Sequence, residues 1–151
     1  MKGKIDWKEV EDIVYINSTI KMGLHGITHV KTVCEFAIEI AKVECPDRLD
    51  EVMIAAYFHD IGRVDDGHDP EHGIIGARIA ERLIKQNWPE LCTQRVLIAI
   101  AQHVDGKISD DPVIGTIWDA DRLDFGRVGI KPDESYFSTK TGKKLLKRHY
   151  N

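Results

Sequence analysis

Residues 57–73 read YFHDIGRVDDGHDPEHG and contain three of the chain's seven histidines. They follow directly on VMIAA, residues 52–56, which has no polar side chain. An apolar run that ends in His59 and Asp60 carries both toward the interior, where an isolated charge is costly unless it is paired or bound to a metal ion. The segment therefore indicates an ion pair or a metal site.

Further polar side chains fall on the apolar faces of other predicted helices: His29, His72, His103 and Asp121. Any one of them alone would be explained as a hydrogen-bonded core residue or a helix cap. Together with His59 and Asp60 they place six polar groups in the interior, and a bound divalent cation satisfies them at once. Imidazole nitrogens and carboxylate oxygens without thiolates suit Mn, Fe, Co, Ni or Zn, and suit Mg less well.

Helical periodicity dominates the segments that must position these residues. Helices are predicted over residues 6–22, 26–44, 46–62, 69–87, 89–104 and 111–123, with Asp69 as the N-cap of the fourth. The run VMIAAYF also resembles a buried strand, but its paired alanines and flanking signals favour a helix. The chain is therefore predicted to be an all-α, compact single-domain bundle of about six helices over residues 1–151. Residues 126–151 are expected to form a loop and a short basic C-terminal segment.

Composition and charge narrow the class of protein. The chain has 151 residues, 42% of them hydrophobic and 30% charged, as in an ordinary single globular domain. Its net charge of −4 argues against dedicated nucleic-acid binding. It has no apolar run of the ~20 residues that span a bilayer and no signal-peptide core, so we expect a cytoplasmic protein without membrane contact. Cys34, Cys45 and Cys92 are far apart and are expected to be reduced thiols without a function.

The order of His29, His59-Asp60 and Asp121 resembles the H…HD…D signature of the HD-domain metal-dependent phosphohydrolase superfamily. The local contexts HGITHV, AAYFHDIGR and DADRLDF are similar too. The resemblance spans about residues 24–125 and implies an HD-type helical domain that binds metal in its core.

Carried over residue by residue, the resemblance implies these ligands of a first metal: His29, His59, Asp60 and Asp121. Some members have two more histidines and a second metal, with the aspartate of the HD pair as the bridge. Here EHGIIGA supplies His72 and IAQHVDGK supplies His103, so two divalent ions are expected. Asp119 and Asp124 flank Asp121, which is preferred because it lies in the AD pair.

The function that this resemblance implies is hydrolysis of a small phosphoester, with a nucleotide as one candidate. Two divalent cations would supply a metal-bound hydroxide as the nucleophile, and Asp60 would bridge them. Arg63 and Lys107 are the best candidates for holding the phosphate charge. Arg122 is a third candidate, although an arginine beside a ligand aspartate equally fits a structural ion pair. The GYP tripeptide of members that cleave cyclic dinucleotides is absent after His103, so that activity is not expected.

Two other functions are compatible with the same residues. A few members of the superfamily use a mixed-valent di-iron pair to oxidise C–H bonds. A non-catalytic module that keeps metal for stability is the other alternative, and the presence of all six ligands argues against it. His25 could share a helix face with His29 or precede that helix in a turn, and His68 could cover the mouth of the pocket or lie on the surface.

Overall fold

The structure, a computed structural model, describes residues 4–150, and seven α-helices form the core of this part of the chain. They are α1 (Trp7–Asn17), α2 (Ile27–Glu44), α3 (Leu49–Phe58), α4 (His72–Asn87), α5 (Gln94–Ala101), α6 (Pro112–Leu123) and α7 (Lys140–Tyr150). Four short 3₁₀ segments lie at Pro46–Arg48, Pro89–Leu91, Asp124–Val128 and Glu134–Tyr136. No strand occurs among residues 4–150, which confirms the all-α prediction. The count exceeds about six because the basic C-terminal segment forms α7.

Helix α3 lies in the middle of the bundle and packs against α2, α5 and α6. Its residues from Ile54 to Phe58 are all buried, as the predominantly apolar composition of this segment predicts. Around it, α2 contributes the buried stripe of Val33, Ala37 and Ile40. Within residues 4–150, none of the helices combines the length and the apolarity that a bilayer crossing requires.

Side chains cap the N-termini of three helices by accepting hydrogen bonds from N–H groups of the first turn. The carboxylate of Asp6 accepts hydrogen bonds from the first turn of α1, and Thr93 accepts one from Val96 N at the start of α5. Asp111 accepts from two backbone N–H groups of α6, with Pro112 in the first helical position. These bonds satisfy N–H groups that have no partner within the helix, so the three helices begin at defined residues.

Several helix ends differ from the prediction, and two of them bear ligand candidates. Helix α3 ends at Phe58 and α5 at Ala101, so Asp60 and His103 lie in turns beyond their helices. Helix α4 begins at His72, and the prediction that Asp69 caps it was wrong. The carboxylate of Asp69 instead accepts hydrogen bonds from Val64 N and Asp65 N, and so closes the preceding loop. Helix α1 also stops earlier than predicted, at Asn17.

Glycines let the first half of α4 approach the neighbouring backbone very closely. A Cβ atom on Gly62 would collide with the backbone N of Gly76 and with the carbonyl of His72. A Cβ on Gly73 would lie 2.5 Å from the carbonyl oxygen of Ala101, the last residue of α5. Because only glycine permits these contacts, the start of α4 is held against the turn after α3 and the end of α5.

Candidate metal centre

The six ligand candidates meet at one end of the bundle, where α2 and α4 begin and α3, α5 and α6 end. They form two groups of side chains that could each hold an ion: His29, His59 and Asp121 in one, Asp60, His72 and His103 in the other. All are buried except Asp121, which is partly exposed. The structure thus brings together residues that are up to 92 positions apart in the chain.

In the first group, the ring nitrogens and carboxylate oxygens converge on a common point. The Nε2 atoms of His29 and His59 are 3.3 Å apart. Oδ1 of Asp121 lies 3.2 Å from Nε2 of His29 and 3.4 Å from Nε2 of His59. Oδ2 of Asp60 completes the group at 3.2 Å and 3.3 Å from the same two nitrogens.

The second group uses the other oxygen of the same aspartate. Oδ1 of Asp60 lies 3.2 Å from Nε2 of His72 and 3.2 Å from Nε2 of His103. The two nitrogens are 2.9 Å apart. Asp60 therefore presents one carboxylate oxygen to each group, which is the arrangement of a bridging ligand.

The opposite ring nitrogen, Nδ1, has a fixed partner in all four histidines. His59 donates to the carbonyl of Ala56 at 2.7 Å, and His103 donates to that of Ile100 at 2.7 Å. His72 bonds the carbonyl of Asp69 at 2.5 Å, and His29 bonds Oδ2 of Asp124 at 2.7 Å. A carbonyl oxygen can only accept, so Nδ1 of His59, His72 and His103 carries a proton, and Nε2 of each of the four rings points into the cluster, where it can bind a cation once it is deprotonated.

The donor set fits divalent cations. Lone pairs and carboxylate oxygens this close repel one another unless positive charge lies among them, and Oδ2 of Asp60 is buried without a hydrogen-bond partner. Two ligand atoms that are each about 2.1 Å from one cation and at right angles to each other lie about 3.0 Å apart. The separations of 2.9 to 3.4 Å are close to that spacing.

The carboxylates favour positive charge at this place. Burial by itself lowers the pKa of His29, but the nearby carboxylates of Asp121, Asp124 and Asp60 outweigh burial and raise this pKa to about 9. The pKa of His59 is likewise raised well above its ordinary value, against burial, by Asp60 and Asp121. In return, the histidines hold the pKa of Asp60 and of Asp121 well below the usual range although burial opposes this. A bound cation would take the place of these protons.

Metal binding should therefore stabilise the protein more at high pH than at low pH. The folded-state pKa of His29, about 9, exceeds its ordinary value of 6.5, so the stability that this group gives the metal-free protein is complete below pH 6.5 and lost as pH rises through 9. Metal ligation instead requires the deprotonated ring. We expect the difference in Tm between manganese-loaded and metal-free protein to widen from pH 6.5 to pH 9. A difference that narrows over this range would contradict the assignment.

The three cationic candidates differ in their surroundings. Nε of Arg63 lies 3.7 Å from Oδ1 of Asp60 and is buried without a hydrogen-bond partner, while its Nη1 donates to two loop carbonyls. Lys107 is exposed, and its ammonium lies 5.3 Å from the ring centre of Tyr136. Arg122 is buried and donates to the carbonyls of Gly106, Lys107 and Tyr136. Of the three, Arg63 is the one beside the ligand cluster, and Arg122 is committed to holding loops.

Two further aspartates that were not predicted as ligands hold histidine side chains at the site. Asp124 orients His29, as described above, from the turn that follows α6. Asp66 accepts hydrogen bonds from Leu24 N, His25 N and Nδ1 of His25. The ring of His25 consequently lies 5.8 Å from that of His29, and burial lowers its pKa. His68, which the sequence left open as a residue at the mouth of the pocket or on the surface, is exposed.

Comparison with known proteins agrees with this geometry. The family model of the HD domain matches residues 26–126. Among solved structures, the chain is similar to the crystal structure of a "predicted HD superfamily hydrolase" from an uncultured Thermotogales bacterium, with 28% identity and a TM-score of 0.71. The alignment covers 95% of this chain and 84% of that one. A comparison with curated proteins gives no match. Because the family model covers more than half of the sequence and all six converging side chains, the chain belongs to the HD domain family.

Proposed function

We propose that the protein is a dinuclear metal-dependent phosphohydrolase that cleaves a small phosphoester. The observation that carries the proposal is the position of Asp60, whose two oxygens each face a separate pair of histidine nitrogens. A site for one cation would need only one of these pairs. Members of the HD domain family generally bind divalent metals, and the similar crystal structure is described as that of a hydrolase.

Each cation would be held by its own group of side chains, with Asp60 common to both. When bound, such a pair of cations polarises a phosphoryl oxygen and lowers the pKa of a water toward about 7. The protein holds the donor atoms in place, because every ring is fixed through its Nδ1 hydrogen bond before any ligand arrives.

The cysteines are poor alternatives as nucleophiles. Cys34 is buried, and burial raises the pKa of its thiol to about 12. Burial also raises the pKa of Cys45 and of the half-buried Cys92. The thiolate form is the reactive one, so these residues are inert near neutral pH. Water activated at the metal centre is therefore the nucleophile that the proposal requires.

Arg63 is the residue most suited to contact the phosphoryl group. Its Nε–H has no hydrogen-bond partner and lies 3.7 Å from Oδ1 of Asp60, the oxygen that faces the second group. Its Nη1 is fixed by the carbonyls of Asp65 and Gly67, so the guanidinium is held in place. A fixed donor without a partner can stabilise negative charge that develops on a phosphoryl oxygen. Lys107 remains a second candidate, from the loop after His103.

Metal analysis combined with a phosphatase assay tests the proposal. Protein purified without a chelator or a metal-binding tag should contain close to two divalent ions per chain. After the metal is stripped, hydrolysis of 4-nitrophenyl phosphate should cease and return with Mn, Co or Ni, and less with Mg. Hydrolysis that survives the chelator would refute the proposal. Bound iron with oxygen consumption and no phosphate release would identify the oxygenase alternative instead.

A further inference from the structure

Four loops surround the ligand cluster and are named here the metal-end loops: residues 18–26, 59–71, 102–108 and 124–136. The first, second and fourth are tied together at Leu24, whose N–H donates to Asp66 and whose carbonyl accepts from Nε of Arg127 at 2.8 Å. The third is tied to the fourth by Arg122, which donates to the carbonyls of Lys107 and Tyr136 at 2.8 and 2.7 Å. These loops therefore form one connected surface at the end of the bundle that holds the ligand cluster.

The metal end of the molecule is acidic. The metal-end loops together with Asp121 and Arg122 contain ten acidic and six basic side chains, a net charge of −4. This equals the net charge of the whole chain, so the remainder is neutral. Two divalent cations add four positive charges and leave this end neutral, not positive. Beyond the cations themselves, the site has no surplus positive charge to attract a polyanion.

The three guanidinium groups at this end are all used at least in part by the protein, and Nε of Arg63 is left without a hydrogen-bond partner. Arg63, Arg122 and Arg127 all donate to main-chain carbonyls of the metal-end loops. The ammonium of Lys107 lies over the ring of Tyr136. Sites for polyphosphates and nucleic acids use several free basic groups to bind successive phosphates. With the guanidinium groups used in this way, the arrangement favours one phosphoryl group, held at the metals by Arg63 and Lys107, over a chain of them.

Exposed apolar side chains are concentrated on the same loops: Met22, Leu24, Val64, Ile108, Val128 and Ile130. Their exposure ranges from 39% for Val128 to 70% for Met22. Exposed apolar groups beside a few convergent polar groups are typical of a small-molecule site. They can contact an uncharged, apolar part of a substrate, but they offer no charge and no hydrogen bond to a charged part.

From charge and apolar exposure together we infer that the substrate is a phosphomonoester with a single phosphoryl group and an uncharged, partly apolar alcohol portion. The inference rests on the proposed phosphohydrolase function and deepens it. Polyphosphates and nucleic acids are disfavoured because their additional negative charges lie over acidic loops. Phosphodiesters are disfavoured because they present only one negative charge to the two cations.

A substrate panel on manganese-loaded protein tests the inference. We expect kcat/KM for AMP to exceed that for ATP at least about tenfold, with ADP between them, because ATP brings additional charge to the acidic end. The kcat/KM for 4-nitrophenyl phosphate should exceed that for bis(4-nitrophenyl) phosphate by a similar factor. The kcat/KM for 1-naphthyl phosphate should exceed that for glycerol 3-phosphate about tenfold or more, because the naphthyl ring can bury apolar surface against the loops and glycerol cannot.

A matched pair of charge reversals locates the source of the discrimination. Asp105→Lys adds two positive charges at the metal end, on an exposed residue near His103. Asp50→Lys makes the same change in the first turn of α3, roughly 15 Å from the ligand cluster along the helix. Asp105→Lys should raise the ratio of ATP to AMP activity about fivefold at low ionic strength, and 1 M salt should remove the effect. Asp50→Lys should leave the ratio unchanged.

The outcomes separate this inference from the proposed function. If ATP or the diester is cleaved as well as the matching monoester, the inference is wrong while the phosphohydrolase proposal stands. The same holds if AMP is preferred but both charge reversals shift the ratio equally. If metal-loaded protein cleaves no phosphoester of the panel, the proposed function fails and the inference falls with it.

Discussion

Asp60→Asn is expected to reduce kcat/KM for phosphoester hydrolysis by about 10³-fold or more while the helical content stays unchanged. The amide keeps the shape of the side chain but has only one oxygen, so it cannot present an acceptor to both histidine pairs. Loss of a bridging anion weakens both cation sites, and several kcal/mol of metal-dependent transition-state stabilisation corresponds to this factor. Steady-state kinetics, metal content and far-UV circular dichroism of the variant measure the three quantities.

Asp119→Asn is the matched control, since it changes another buried carboxylate two residues from a ligand. Asp119 accepts hydrogen bonds from Ser138 N and from both N and Oγ1 of Thr139, and none from the ligand cluster. Its loss should lower the free energy of unfolding by about 1–3 kcal/mol and leave metal content and kcat near wild type. Full activity in Asp60→Asn, or equal losses of activity in both variants, would show that Asp60 has no special role in the chemistry.

The sequence predicts the burial of the polar side chains in the ligand cluster because they continue the apolar faces of the predicted helices. His59 and Asp60 follow a run without polar side chains, and His29 lies on the same stripe as Val33 and Ile40. A helix that is periodic over many residues places such side chains reliably on its inner face. The helical fold and the convergence of the six side chains are therefore visible from the chain alone, while their roles as ligands are left for the variants to test.

Helix ends were harder to predict because side chains compete for the terminal carbonyls. The sequence favoured continuation of α3 to Gly62, but the helix ends at Phe58 and the ring of His59 bonds the carbonyl of Ala56. His103 does the same with Ile100 beyond the end of α5. The last carbonyls of a helix have no partner within it, so a histidine three residues on can take one. This bond depends on ring orientation, which no periodicity encodes.

The roles of the polar residues around the cluster depend on contacts between segments that are distant in the chain. Asp124 bonds His29 across 95 positions, and Arg122 holds carbonyls of two separate loops. In the sequence, both residues lie within three positions of Asp121, and so does Asp119, which accepts hydrogen bonds from the segment before α7. An aspartate or arginine next to a ligand is equally compatible with all these roles until the loops are placed. Arg122 illustrates this limit, because the sequence left open a substrate contact or a structural ion pair, and in the structure its Nη1 and Nη2 donate to three loop carbonyls.

Substitution of single histidines should show whether the chain binds one cation or two. The second group consists of His72, His103 and one oxygen of Asp60, so His72→Ala or His103→Ala removes one of its three donors. Each variant should lose about one equivalent of metal per chain and remain folded, because each histidine gives up only one hydrogen bond to a backbone carbonyl outside the cluster. His59→Ala should empty most of the site, since the first group and the turn bearing the bridging Asp60 both depend on it. Metal analysis after dialysis measures all three.

His68→Ala is the control for these losses, because His68 lies on the loop between the HD pair and α4 but is exposed. This variant should retain two equivalents of metal per chain, which would show that a substitution close to the ligands in sequence does not by itself reduce metal binding. The stepwise loss follows from the sharing of Asp60: removal of a second-group histidine leaves Oδ2 of Asp60 with His29, His59 and Asp121, a complete set of four donors. If fully loaded wild type holds one equivalent and neither His72→Ala nor His103→Ala changes it, the second group is a pair of core histidines. The centre would then be the simpler site formed by His29, His59, Asp60 and Asp121.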